Sequence, residues 1–201
     1  MNKFFDYFKK NSTDIIKPTA VLLAICVIIP LALSLTNKIT VKKIARLEEE
    51  NSKKAMAGLI TADDFRTATV SDTEYYEAVK DGNIIGYIFK TSSKGYGGDV
   101  SVMTAINPDG TVKSVAILDV SNETPGLGQN AAKESFYSQY AGKKKGISLL
   151  KNGADSEKNE VDAVTGATIT STAVNRAVNE ALDEFEKLSE STNTAEVTDG
   201  E

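Results

Sequence analysis

The run of residues 18–37 constrains this chain more than any other stretch. It holds no charged residue and is built mostly from Ala, Val, Leu and Ile. About twenty residues at helical rise span roughly 30 Å, the hydrocarbon thickness of a bilayer. A single segment in lipid must satisfy its own backbone, and a helix does so. The run therefore predicts a transmembrane helix over 18–37, with Pro18 at its start, where proline is tolerated, and a kink at Pro30. A buried core helix is usually shorter or apolar on one side only. A cleaved signal peptide is the stronger rival, with Ala32-Leu33-Ser34 as a small-x-small site, but the run is longer than an ordinary signal core. Ile25 is wrong for a lipoprotein site at Cys26, which reads as a small apolar packing residue.

The flanks extend this anchor. Residues 1–17 mix lysines with Phe4, Phe5, Tyr7 and Phe8, a composition suited to the membrane–water interface. Lys3, Lys9, Lys10 and Lys17 precede the span, while Lys38, Lys42, Lys43 and Arg46 follow it. The basic count is tied, so charge does not orient the helix. Residues 38–70 read as a helical stalk or linker, with Ile39, Ile44 and Leu47 beside a charged face and Glu49–Lys53 and Glu50–Lys54 at pairing distance. A solvated helix with no partner fits the same residues.

The full chain of 201 residues allows one domain of ordinary size besides these appendages, with a net charge of −5, no histidine and one cysteine. An intrachain disulfide, a Cys/His metal site and histidine-dependent catalysis are thereby excluded. No basic cluster is interleaved with aromatics, which removes support for nucleic-acid binding, and no Asp-rich loop of the EF-hand type is present. Redox work would need a bound cofactor.

Between the anchor and the C-terminus the pattern is α+β: an antiparallel sheet packed with helices, preceded by the one N-terminal transmembrane helix. Residues 75–80 and 84–91 read as strands around the turn Asp81-Gly82-Asn83. Residues 100–106 and 112–120 repeat the pattern around Asn107-Pro108-Asp109-Gly110. The glycine-rich segment at residues 94–99 reads as a long hairpin loop or a ligand-contacting loop. Short strands are expected at 147–150 and 161–164, a turn at Asn152-Gly153 and a solvated loop at Lys143-Lys144-Lys145. After Ser171, Ala173, Val174, Ala177, Val178, Ala181, Leu182, Phe185 and Leu188 form one apolar helix face. Residues 189–201 are polar and acidic, a composition expected to be disordered.

Two segments stand out chemically. In Glu123-Thr124-Pro125-Gly126-Leu127-Gly128, Pro125-Gly126 fits the middle of a type II turn, and Gly128 permits a second close backbone approach. Asn130 would then cap a helix over 131–140, with Phe136 and Tyr140 packed in the core. In Asp162-Ala163-Val164-Thr165-Gly166-Ala167-Thr168-Ile169-Thr170-Ser171, four hydroxyls crowd around a glycine just ahead of the helix. Small residues let another molecule approach, hydroxyls offer donors, acceptors and attachment points, and a helix start suits a phosphate. On the residues alone, a hydroxyl-capped helix fed by structural turns fits as well.

Asp-x-x-Thr-Gly-Ala-Thr, here Asp162 and residues 165–168, resembles the flavinylation motif of the FMN-binding domain family. Glu-Thr-Pro-Gly-Leu-Gly is similar to that family's flavin-contacting loop, and the two follow in the family's order. The family includes the G subunit of the Rnf electron-transport complex and the C subunit of the sodium-pumping NADH:quinone reductase. The resemblance covers roughly residues 75–188 and implies an FMN-binding domain over 71–188. It implies FMN held covalently by a phosphoester at Thr168; only resemblance selects Thr168 among Thr165, Thr168, Thr170 and Ser171. It further implies cofactor contacts from Glu123, Thr124, Leu127, Gly128, Thr165, Gly166, Ala167 and Thr170. Asp162 would belong to the segment read by a flavin transferase, helping to hold a divalent metal during transfer. No catalytic or resident metal residues are implied.

The chain would then be a redox subunit of an ion-translocating oxidoreductase rather than a catalyst alone. It would relay electrons between ferredoxin and NAD with other membrane, iron–sulfur and flavin subunits as partners. The implied setting is the cytoplasmic membrane, with residues 1–17 inside and the flavin domain outside. The compact chain favours the Rnf reading; alternatives are the quinone-reductase subunit, a stand-alone extracellular flavin reductase domain and a membrane-anchored interaction module without redox chemistry.

Overall fold

The computed structural model describes residues 12–70 and 73–198, with side chains described for 16–70 and 73–191. The interfacial aromatics Phe4, Phe5, Tyr7 and Phe8 lie outside the described residues. The chain divides into two compact units, Met1–Glu50 and Asn51–Glu201.

One helix, α1, runs Ser12–Leu59 and encloses both Pro18 and Pro30. Pro18 is therefore inside the helix, not at its start, and each proline leaves the carbonyl four residues earlier without its usual donor. Residues 16–50 are exposed throughout, including Cys26. This helix is long and apolar enough to cross a membrane. Thr36 and Thr40 donate their hydroxyls to the carbonyls of Ala32 and Thr36, both at 2.9 Å, so their polar groups are satisfied within the helix. Past the apolar run, Glu50 pairs with Arg46 at 3.4 Å.

In the second unit, five strands form an antiparallel meander in the order β1-β2-β3-β4-β5. They are β1 (Asp64–Val70), β2 (Thr73–Lys80), β3 (Asn83–Lys94), β4 (Asp99–Ile106) and β5 (Val112–Asp119). The stalk expected to reach residue 70 ends at Leu59, and Asp64–Val70 is instead an edge strand paired with β2 from Asp64↔Val79 to Val70↔Thr73. Its alternation is diluted by Arg66, Thr67 and Thr69, which hides the strand from a periodicity reading. The β2–β3 turn is built on Asp81 at φ 52° and Gly82 at φ 80°, the backbone of a type I′ hairpin turn.

Each face of the sheet is covered. Against one face pack Met56, Leu59 and Ile60, with Ala78, Ile88, Met103 and Ala105. Gly86 makes room there: a Cβ would lie 2.8 Å from Ile60 Cδ1. Ser114 donates its hydroxyl to the Leu59 carbonyl at 2.8 Å, satisfying an orphan acceptor at the helix end. The other face receives the final helix, whose Ala173, Val174, Ala177, Val178, Ala181 and Leu182 are buried against Phe89, Val100, Val102, Ile106 and Val115. Alanines on that face bring helix and sheet close enough for Thr91 to donate to the Ala177 carbonyl at 2.8 Å.

The connection from the sheet to this helix departs from expectation. The helix expected over 131–140 is broken into a 3-10 turn (Gly128–Ala132), α2 (Glu134–Tyr137) and a second 3-10 turn (Ser138–Tyr140). Asn130 does not cap it; its side-chain N–H binds the Gly126 carbonyl at 2.6 Å. Phe136 and Tyr140 are buried and meet edge to face, 5.8 Å between centroids. Strands β6 (Ser148–Leu150) and β7 (Glu160–Asp162) form a small parallel pair. Lys143, expected in solvent, is buried, its ammonium held by the carbonyls of Ser156 and Lys158. The last helix, α3 (Thr168–Thr198), continues through residues 189–198, where composition predicts disorder. That stretch contains no Gly or Pro, and the hydroxyls of Ser189 and Ser191 bond carbonyls one turn back.

Candidate cofactor site

The Glu123 loop is a turn of the kind its residues predict. Leu127 N–H binds the Thr124 carbonyl at 3.1 Å and Gly126 adopts φ 78°, which its missing Cβ permits. Its neighbour in space is the start of α3. There Ala167 N–H closes a turn onto the Val164 carbonyl at 2.9 Å, with Gly166 at φ 76°. Ser171 staples this turn to the helix: its hydroxyl accepts the Val164 N–H and donates to the Ala167 carbonyl, both at 2.9 Å.

The motif's four hydroxyls divide accordingly. Ser171 and Thr170 are buried and internally bonded, Thr170 donating to Glu123 Oε2 at 2.5 Å. Thr165 and Thr168 are exposed, and their hydroxyls have no hydrogen-bond partner among the described residues. Thr168 is the first residue of α3, where unpaired N–H groups and the helix dipole favour a negative group.

A third segment completes the site. The hairpin between β3 and β4 folds back on the Glu123 loop, where Gly97 N–H binds Glu123 Oε1 at 3.0 Å. A Cβ on Gly97 would overlap the Asn122 carbonyl, so the glycine is required for this approach. Tyr96, 71% exposed, stands at the mouth.

Together these segments enclose a cavity of about 510 Å³, within the range of about 300–1,000 Å³ usual for small-molecule sites. Glu123, Thr124, Leu127, Gly128, Gly166, Ala167, Thr168 and Thr170 all line it. Thr165 does not; with Asp162 it borders a neighbouring cavity of about 340 Å³, beside Lys133 and Gln139. Asp162 is held internally: Oδ1 accepts the Ala154 N–H at 2.9 Å, and Gln139 bonds both its N–H and its carbonyl. Sequence reasoning missed Tyr96 and Ile169 as wall residues. The glycine run at residues 94–99 was the available signal for Tyr96. Nothing in sequence marked Ile169, which helical geometry turns toward the mouth at 55% exposure.

The wall suits a partly apolar molecule with an anionic end. Leu127, Ile169 and Tyr96 offer apolar surface, and Thr168 at the helix start offers a hydroxyl beside free amides. Among the described residues no group of three acidic, His or Cys side chains is placed to hold a metal ion.

An FMN-binding domain model matches residues 95–183, from the glycine loop to the buried part of α3. The G subunit of the proton-translocating ferredoxin:NAD(+) oxidoreductase complex of Clostridium ljungdahlii is 34% identical over 87% of this chain and 94% of its own length. The G subunit of the Na(+)-translocating complex of Acetobacterium woodii is 32% identical over 84% of this chain and 90% of its own. The chain belongs to the Rnf G-subunit family. The match runs nearly end to end and separates the two subunit types that the motifs left together. Among solved structures, this member of the Rnf G-subunit family is similar to NqrC of Shewanella oneidensis, with TM-score 0.50 and 25% identity. That likeness covers 56% of this chain and 61% of the other, under two thirds of its length. The C subunit of the Na(+)-translocating NADH-quinone reductase of Parabacteroides distasonis gives the same TM-score and identity over 57% and 61%.

Proposed function

We propose that this chain is a membrane-anchored electron relay carrying FMN esterified through its phosphate to Thr168. Of the motif's four hydroxyls, Thr168 alone is exposed, unbonded among the described residues and on the larger cavity; that observation carries the proposal. When bound, FMN supplies reversible electron uptake at its ring. The chain's own residues do the rest. Amides at the start of α3 would hold the phosphate, Leu127, Ile169 and Tyr96 would offer apolar surface to the ring, and Gly128 and Gly166 would leave it room beside the backbone. A flavin transferase using FAD would make the attachment: Thr168 would supply its hydroxyl oxygen and give up the proton, and AMP would be released as the pyrophosphate bond breaks. Asp162 belongs to the segment this enzyme reads, presented by the Ala154 and Gln139 bonds.

Helix α1 anchors the chain by one pass, with the N-terminus inside and the flavin domain outside. Its partners are the other subunits of an Rnf-type complex coupling ferredoxin:NAD electron transfer to ion movement, as the relatives' names describe for them. The test is peptide mass analysis of protein from its native membrane. The peptide containing Thr168 is expected to gain one FMN less one water, and Thr168→Val to lose that mass while the fold survives. Flavin retained in Thr168→Val, or an unmodified native peptide, overturns the attachment.

A further inference from the structure

Glu123 is the only charged side chain among the described residues lining the larger cavity, and it is 2% exposed. Both its oxygens are engaged by neutral donors: Oε1 by the Gly97 N–H at 3.0 Å, Oε2 by the Thr170 hydroxyl at 2.5 Å. Those donors come from 26 residues before it and 47 after it, so one carboxylate joins the glycine loop, its own turn and the start of α3. The chain makes room for it on every side. A Cβ on Gly95 would overlap Oε1, and one on Gly128 would lie 2.7 Å from both Oε2 and Thr170 Oγ1. A buried carboxylate held by neutral groups is expensive, and a neutral amide could bond both partners at less cost, accepting from Gly97 and donating to Thr170. The excess is the charge itself.

We infer that Glu123 is a positioning residue with two effects: it holds the three walls of the cavity in register, and its buried charge lowers the reduction potential of the flavin bound there. The second effect rests on the FMN reading above; the first does not. Reduction places electrons on the ring, and a fixed negative charge in a poorly solvated wall raises the cost of adding them. Because its oxygens are already occupied, Glu123 acts on the ring through the field and through Gly97 and Thr170. Thr170 is two residues from Thr168, so the same bond anchors the first turn of α3, from which the attachment hydroxyl projects.

The glutamine and alanine variants separate the effects. Gln keeps the shape, accepting from Gly97 and donating to Thr170, while removing the charge. Amide hydrogen exchange is measured on the full chain without flavin. Gly97 is expected to exchange about tenfold faster in Glu123→Ala and near the wild-type rate in Glu123→Gln. Free exchange of Gly97 in the wild type, or unchanged protection in Glu123→Ala, overturns the bracing role. Redox titration by flavin absorbance is then made on full chains loaded with FMN. In the chains that carry FMN, Glu123→Gln is expected to titrate at a higher midpoint potential; a potential equal to wild type overturns the electrostatic role. Were the wild-type chain itself to take up no flavin, the FMN reading and the electrostatic role would fall together, and the exchange measurement would still decide the bracing role.

Discussion

At the residue scale, burial assigns roles that chemistry leaves equal. Thr165, Thr168, Thr170 and Ser171 carry the same functional group, yet Thr170 and Ser171 spend theirs on internal bonds and Thr168 faces the cavity. Tyr140 shows the opposite economy. Its ring is wholly buried, and its hydroxyl has no partner among the described residues. Burial raises its pKa well above the ordinary value of 10.0. A raised folded-state value means the neutral form is retained in the fold. The associated stability is therefore present below pH 10 and lost as pH climbs from 10 toward the folded value, because the unfolded chain ionises first. Tyr140→Phe removes an unsatisfied buried hydroxyl, whose desolvation costs about 1–3 kcal/mol. Urea titration at pH 7 is expected to find Tyr140→Phe as stable as wild type or more so, with a shallower loss of stability above pH 10. A drop of several kcal/mol at pH 7 would reveal a partner for the hydroxyl.

At the element scale, the site is assembled by loops that rigid elements hold in place. Helix α3 fixes Thr168 because its alanine-rich face seats closely on β3 and β4. The loop between β6 and β7 has little apolar surface and is held by polar tethers. Lys143 reaches the carbonyls of Ser156 and Lys158, Asn159 bonds residues 144 and 145, and Lys145 pairs with Asp183 and Glu186 on α3. The exposed Lys145 pairs add little. The buried Lys143 tether matters more, since hydrogen bonds to a charged donor contribute about 1.5–3 kcal/mol each. Lys143→Met keeps the stem and removes the donor. It is expected to lower stability by about 2 kcal/mol and to expose residues 151–159 to proteolysis, read by limited digestion with mass mapping. An unchanged digestion pattern would mean the loop holds itself.

At the scale of the whole molecule, the boundary between the two units lies within α1. Residues 16–50 are exposed along the helix, whereas Met56, Leu59 and Ile60 fill the second core beneath the sheet. A chain beginning at Asn51 is expected to unfold cooperatively, with this core intact. One beginning at Asp64 forfeits three large apolar side chains worth about 1.5–3 kcal/mol apiece and should be less stable by about 5 kcal/mol. Denaturant titration by circular dichroism compares the two; equal midpoints would mean the last turns of α1 are dispensable packing.

Local chemistry made much of this legible in sequence. The uncharged run at 18–37, the turns at Asp81-Gly82 and Pro108-Asp109-Gly110, the type II turn at Pro125-Gly126 and the apolar face of α3 all follow from charge, backbone freedom and periodicity. Each is decided by residues close in the chain. What sequence misplaced was settled by partners far along it. Asp64–Val70 is a strand because β2 offers it an edge, and Lys143 is buried because two distant carbonyls replace its water. Tyr96 joins the cavity because Gly97 lets its loop rest on Asn122 and Glu123. The motifs thus named a chemistry from sequence alone. Only the tertiary structure decided which hydroxyl faces the cavity and which carboxylate braces it, since both depend on contacts between segments dozens of residues apart.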